Sequence, residues 1–294
     1  MVTPQTSHPE LAQEIGVPAL YFKREDLHPL GSHKGRSIPH MIDEQVAQGI
    51  THFAISSSGN AALAAVRYIV KLNATEGRGL TLSVLVGKNI NPSKKNWLLS
   101  EITDPRITLT ETERPLQSLL NLIKGTKIAS LRQSTDDSAL VGYRALAEEL
   151  LAIPELSTVF IASSSGTTAQ ALSEHFLRLK KAVSVFIVQT TETAPLASDF
   201  DTSATSLPKE ISLADAIVDR VAHRKTALSE ALIKTGGGAF IAENSYISSA
   251  QKMLKEKAGI DTTGNGSLSL AGLLKARASG KTFSGAIACI ITGK

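Results

Sequence analysis

The sequence predicts an α/β protein built on mostly parallel sheets, and three observations carry that prediction. Short apolar or β-branched runs alternate with longer segments of helical periodicity. Two run-to-helix junctions look alike, one passing through Ser56, Ser57, Ser58 and Gly59, the other through Ser163, Ser164, Ser165 and Gly166. The chain has 294 residues, 42% of them hydrophobic, which is material for one large domain or two of ordinary size.

In chain order the strand candidates are ALYFKRE (19–25), HFAISS (52–57), LTLSVLV (80–86), RITLT (106–110), TVFIAS (158–163), VSVFIVQ (183–189) and AIACIIT (286–292). Each has the length and the Val, Ile, Phe or Thr content of a buried strand. Between them, NAALAAVRYIVKLN (60–73) carries apolar residues on nearly every face and predicts a buried helix. SALVGYRALAEELLA (138–152) spaces its apolar positions by three and four, with Glu148 and Glu149 expected in water. TAQALSEHFLRLKKA (168–182) is amphipathic, and SYISSAQKMLKEKAG (245–259) ends at a helix-stopping glycine. The polar stretch from about 190 to 240 reads as loops with short helices.

Bulk chemistry excludes several functions. Thirty-one basic and 27 acidic residues give a net charge of +4, and the longest basic clusters are pairs, Lys94-Lys95 and Arg224-Lys225. No basic stripe of the kind that binds nucleic acid is present. No stretch approaches the length of a membrane span, and MVTPQTSHPELAQ has no apolar signal region. The one cysteine, Cys289, lies in the apolar run GAIACIITG and reads as a small core residue rather than a nucleophile. A cytoplasmic protein without a metal site is expected.

Three loops point at one ligand. GSHKGR (31–36) places Lys34 after a Gly-Ser turn and between His33 and Gly35, a setting that a surface lysine does not need. The two serine loops supply small residues, a glycine and hydroxyls where helices begin, and there free N–H groups and the helix dipole favour an oxyanion. Plain N-capping would also use Ser, Thr or Asn, but capping needs one such residue and each loop offers at least four. Neither nucleotide fingerprint is present: GSHKGRS lacks the P-loop spacing, and KTGGGAF (234–240) lacks the dinucleotide spacing. A ligand-facing lysine, a phosphate-cradling loop and a hydroxyl-rich loop together suit a phosphorylated aldehyde, with pyridoxal 5′-phosphate the obvious candidate.

LYFKREDLHPLGSHKGR, SSSGNAA, SSSGTT and CIITGK, in that order, resemble the tryptophan synthase β-like group of fold type II pyridoxal-phosphate enzymes. Their motifs are most similar to those of threonine synthase. The resemblance implies two three-layer αβα domains with the cofactor in the interdomain cleft. The smaller domain would span 38–145, and the larger would combine 1–37 with 146–294. It implies that Lys34 forms a Schiff base with the cofactor and moves the α-proton. Asn60 would bind the ring hydroxyl, and Ser163, Ser164, Ser165, Gly166 and Thr167 the phosphate. Thr292 would meet the ring nitrogen. Ser57, Ser58 and Gly59, with Asn60, would hold the substrate carboxylate. The serines at 163 and 165 stand where many relatives carry glycine, which leaves the backbone N–H groups in place. The implied activity is elimination or replacement on a small amino acid, threonine synthase-like, by a homodimer. For O-phosphohomoserine a second anion site would be needed, with Lys88, Lys94, Lys95 or Arg132 as its candidates. The alternatives are a serine/threonine dehydratase, a cysteine synthase-type lyase, or a catalytically silent pyridoxal-phosphate-binding module.

Overall fold

A computed structural model describes residues 1–201 and 210–293; the part of the predicted 190–240 loop at 202–209 lies outside them. Along the chain run β1 (Gln5–Ser7), α1 (Pro9–Ile15), β2 (Ala19–Arg24), α2 (Lys34–Ala47), β3 (His52–Ser56), α3 (Asn60–Glu76), β4 (Thr81–Gly87), α4 (Pro92–Glu101), β5 (Ile107–Thr112), α5 (Pro115–Ile123) and β6 (Ile128–Ser130). Then follow α6 (Ser138–Val141), α7 (Arg144–Leu150), β7 (Leu156–Ala162), α8 (Thr167–Arg178), β8 (Ser184–Thr190), α9 (Lys225–Lys234), β9 (Gly238–Ala242), α10 (Asn244–Ala258), α11 (Gly264–Ala278) and β10 (Ala286–Ile291). The seven expected strands are all present. The periodicity did not reveal β1, β6 and β9.

The chain divides into two compact units, Pro29–Gly142 and Met1–His28 with Tyr143–Lys294. The expected boundaries were 38 and 145. Residues 29–37 fall in the smaller unit because they pack there: Gly31 abuts Leu63 and Arg67 of α3, and Ser37 bonds to Gln133.

In the smaller unit the sheet runs β5-β4-β3-β6, all parallel. Strand alternation splits its residues between two faces. Phe53, Ile55, Leu82 and Val84 pack with α2 and α3, while Ala54 and Leu85 pack with Leu119 of α5. In the larger unit the order is β1-β2-β10-β7-β8-β9, parallel except for β1. Phe22, Phe160, Phe186 and Val188 join Leu268 and Leu273 of α11 in one core. Cys289 lies in that core, fully buried, and burial pushes its thiol pKa up. This fits a core residue and not a nucleophile.

A buried ion pair anchors the start of the larger unit. The Lys23 ammonium donates to Glu149 Oε2 at 2.5 Å and to the Thr3 carbonyl at 2.8 Å. Glu149, expected in water, is thus turned inward, and Glu148 is the exposed one of the two. Among the described residues no helix is long and apolar enough to cross a membrane, and no cluster of His, Cys, Asp and Glu could hold a metal ion.

Candidate active site

In an open parallel sheet, ligands bind at the carboxyl ends of strands where the strand order reverses, because neighbouring loops diverge there. In the smaller unit the order runs β3, β4, β5 one way and returns to β6 on the other side of β3. The reversal lies at the end of β3, where the chain passes through Ser57, Ser58 and Gly59 to Asn60. In the larger unit it runs β7, β8, β9 and returns to β10 beside β7. That reversal lies at Ser163 and Thr292. Ile290 pairs with Ile161, so the same register puts Thr292 level with Ser163. Both serine loops predicted to bind ligand therefore occupy the reversal points of their sheets.

Lys34 opens α2 in the smaller unit. The preceding turn is held by the Ser32 hydroxyl, which accepts from the Lys34 N–H at 3.2 Å, and by the Ser32 carbonyl, which accepts from Gly35 at 3.0 Å. Gly31 has φ +90, and a Cβ on it would fall 2.7 Å from Leu63 of α3. The turn is therefore open to glycine alone, and it seats the start of α2 beside the first turns of α3. Three residues beyond Lys34, the Ser37 hydroxyl accepts from the buried Gln133 amide. Across from it Gly142 touches backbone: a Cβ there would lie 2.5 Å from the Arg36 carbonyl oxygen and from Ser37 Cα. Lys34 itself is half-buried, and its ammonium has no hydrogen-bond or ion-pair partner among the described residues.

The loop at 57–59 is loosely filled. Ser57 Oγ accepts from the Gly59 N–H at 3.3 Å, and Ser58 is exposed. A Cβ on Gly59 would meet nothing within 4 Å. No side chain caps α3, and the half-buried Asn60 amide has no side-chain hydrogen bond among the described residues. The capping explanation of this loop is thus not realised.

The loop at 163–167 is held much more tightly. The Ser163 N–H donates to the Val188 carbonyl at 3.0 Å. The Ser164 hydroxyl donates to Asp219 Oδ2 at 2.9 Å and accepts from the Val218 and Asp219 N–H groups, both at 3.1 Å. Ser165 Oγ and Thr167 Oγ1 are 2.9 Å apart. Gly166 has φ +85, and a Cβ on it would lie 2.7 Å from Leu228 and 3.2 Å from Leu196. As the N-cap residue it has no side chain to cap with, and α8 begins at the next residue, Thr167, whose N–H donates to Ser165 Oγ at a long 3.5 Å. The buried Thr292 hydroxyl makes a long, 3.5 Å contact to the Asn265 carbonyl.

Sequence reasoning missed four residues of this construction. Gln133 and Gly142 fix the turn that carries Lys34, and Asp219 takes the Ser164 hydroxyl. Gln189, buried at the end of β8, bonds the backbone of the serine loop. Only Gln189 left a trace in the sequence, as the one amide in the strand candidate 183–189.

Pyridoxal phosphate presents an aldehyde, a ring hydroxyl, a ring nitrogen and a phosphate dianion. The donor set fits these groups. Among the described residues the smaller unit offers the Lys34 amine and the Asn60 carboxamide without side-chain partners, and the larger unit by itself offers the buried Thr292 hydroxyl and a helix start behind a left-handed glycine.

Comparison with known proteins agrees with this chemistry. Human serine dehydratase-like protein is 39% identical over 72 residues, which are 24% of this chain and 22% of that protein. Maize serine racemase matches at TM-score 0.79 and 19% identity, covering 99% of this chain and 87% of its own. The processed form of threonine deaminase isoform 2 from Solanum lycopersicum matches at TM-score 0.81 and 18% identity, covering 99% and 83%. At such identities the two structures establish the fold. A family model described as pyridoxal-phosphate dependent enzyme matches residues 1–293, and the chain belongs to that family.

Proposed function

We propose that the protein catalyses elimination or replacement on a small amino acid, with Lys34 as its catalytic amine. The observation that carries this reading is the state of Lys34: half-buried, at the head of a helix fixed on two sides, and without a side-chain partner among the described residues. An ordinary lysine in such a place would find a carboxylate or remain in water. Pyridoxal phosphate, when bound, supplies an electrophilic carbon and a ring that draws electrons from the substrate Cα.

The chain's own groups have separable tasks. Lys34 Nζ holds the cofactor at rest, takes the proton from the substrate Cα, and returns a proton as the leaving group departs. It acts as a base only when unprotonated. Asn60 is assigned to the ring hydroxyl, and Ser57, Ser58 and Gly59 to the substrate carboxylate. The backbone of Ser163, Ser164, Ser165, Gly166 and Thr167 is assigned to the phosphate. Thr292 is assigned to the ring nitrogen, where a neutral hydroxyl leaves the ring less cationic than a carboxylate would. That favours elimination over transamination.

Charge bears on the substrate class. A threonine synthase-like reaction on O-phosphohomoserine needs a second phosphate site. Of its four candidate cations, Lys88 is paired with Glu113 at 2.7 Å and Lys95 with Glu111, and Lys94 and Arg132 are also engaged. This supports a substrate without a distal phosphate, such as a hydroxy-amino acid. The names of the human relative and of the two solved structures point the same way.

The test is a spectral and kinetic screen with serine, threonine, O-acetylserine and O-phosphohomoserine. Wild type should show a band at about 410–420 nm that borohydride bleaches, fixing one cofactor mass on the Lys34 peptide. Serine or threonine should yield the oxo acid. Lys34→Ala should lose the fixed mass, and its retention would refute the assignment. A coloured protein inert towards all four substrates would point to a binding module without turnover.

A further inference from the structure

We propose that Gln189 is a positioning residue for the cofactor's phosphate, acting by turning the N–H groups of the 163–167 loop towards the anion. The proposal rests on the assignment of the phosphate to that loop.

Gln189 is completely buried near the end of β8. Its Nε2 donates to the Ser163 carbonyl at 3.0 Å and to the Ser164 carbonyl at 3.3 Å. Its Oε1 accepts from the Leu196 N–H at 2.8 Å and the Ala197 N–H at 2.9 Å. Both amide hydrogens and both oxygen lone pairs are thereby used. One side chain ties the serine loop to the segment that follows β8.

The consequence is directional. In a planar trans peptide the carbonyl of one residue and the N–H of the next point in opposite directions, and no peptide bond among the described residues is cis. Drawing the carbonyls of Ser163 and Ser164 towards Gln189 therefore aims the N–H groups of Ser164 and Ser165 the other way. Gly166 follows in the left-handed conformation, and α8 then begins. Successive N–H groups converging around a left-handed residue make an anion-binding concavity. The Ser164 hydroxyl is already committed to residues 218 and 219. The Ser165 and Thr167 hydroxyls bond each other at 2.9 Å, and anion binding is assigned to the backbone, whose orientation Gln189 sets. A leucine in its place would fill the space but leave two carbonyls and two N–H groups without that partner.

The experiment compares apoprotein binding of pyridoxal phosphate with that of pyridoxal, which has the same aldehyde and no phosphate. Binding is followed by absorbance, and the mass fixed by borohydride is measured. Wild type should prefer the phosphorylated form. Gln189→Leu should lose about tenfold or more of its affinity for pyridoxal phosphate, with affinity for pyridoxal changing less than about twofold. Gln189→Glu keeps the acceptor for Leu196 and Ala197 but loses the donor, and should show the same selective loss. Equal losses for both ligands, no loss for either, or failure of both variants to fold would overturn the proposal. Gly166→Ala separates it from its premise. If Gly166→Ala loses the phosphate preference and the Gln189 variants keep it, only the role of Gln189 is wrong. If all three keep it, the phosphate assignment itself is wrong.

Discussion

Gly142→Ala sets two physical effects against each other at the turn that carries Lys34. Gly142 has φ −60 and ψ −22, ordinary helical values, so alanine is conformationally welcome there. On propensity alone the change should stabilise by about 0.5–1 kcal/mol. The contact says otherwise. The added Cβ would lie 2.5 Å from the Arg36 carbonyl oxygen and from Ser37 Cα, both backbone atoms of the first turn of α2. Ordinary carbon contacts are about 3.5 Å, so one side must move by about 1 Å. Overpacking of this kind costs about 1–3 kcal/mol, which exceeds the propensity gain. The net result should be a lower Tm, by about 2–4 °C for each kcal/mol lost. Lys34 is two residues from Arg36, and a displacement of about 1 Å at a reacting group can slow a reaction by about a hundredfold. Melting of the apoprotein measures the first effect, and the rate at which borohydride-fixable cofactor accumulates on Lys34 measures the second. A variant that melts at or above wild type and captures cofactor at the wild-type rate would refute the claim that this glycine sets the lysine turn.

Three further outcomes are expected. Glu149→Ala should destabilise the fold by about 3–5 kcal/mol in urea, because Lys23 would remain buried without its partner. A Lys23→Met, Glu149→Leu double variant should recover most of that loss, and equal midpoints for the single and double variants would contradict it. Ser164→Ala should release the chain at 218 and 219, costing about 1–3 kcal/mol and speeding tryptic cleavage after the exposed Arg220. Unchanged cleavage would show that the hydroxyl does not hold that chain. His175 is buried on α8, and burial, with Arg178 and Arg144 near it, lowers its pKa below 6.5 despite Glu148 at 3.5 Å. The unfolded state then takes up the proton first, so stability is unaffected above pH 6.5 and falls as pH drops from there towards the folded pKa. The slope is at most about 1.4 kcal/mol per pH unit. A His175→Gln variant should flatten it, as urea midpoints across pH 5–7 would reveal.

Much of this was legible in the sequence, and the exceptions share a cause. A buried parallel strand needs a run of apolar side chains, so β2, β3, β4, β7, β8 and β10 announced themselves, while the largely exposed edge strand β5 showed through its β-branched Ile and Thr residues. β9 did not, because GGGAF looks like a flexible loop. The glycine just before it is there for closeness: a Cβ on Gly237 would lie 2.0 Å from the Val185 carbonyl oxygen. The segment 138–152 has unbroken helical periodicity, yet the helix breaks after Val141. Gly142 is where α2 presses in, and periodicity carries no information about a neighbour. The pairing of Lys23 with Glu149 joins a strand and a helix 126 residues apart, and either charge alone reads as solvated. The serine loops stood out in the sequence because their signal is local. The residues that orient them were not, because a glutamine at a strand end says nothing about which carbonyls it will meet.

The repeated tetrapeptide makes the same point from within the site. Ser-Ser-Ser-Gly ends β3 and follows β7, so local preferences before each glycine are nearly equal. Yet Gly59 has φ −125 and ψ −149, while Gly166 has φ +85 and ψ −9. The surroundings make the choice. At the first loop the second serine folds back on its own chain, with Ser57 Oγ accepting from the Gly59 N–H, and open space lies around the glycine. At the second loop the matching serine, Ser164, reaches residues 218 and 219, Gln189 pulls two carbonyls to one side, and Leu196 and Leu228 close against the glycine. A loop left open and lightly bonded suits a substrate that must enter and leave. A loop clamped by distant side chains suits a group that stays. The division of labour assigned to the two loops thus rests on what each is tied to, since the four residues are the same.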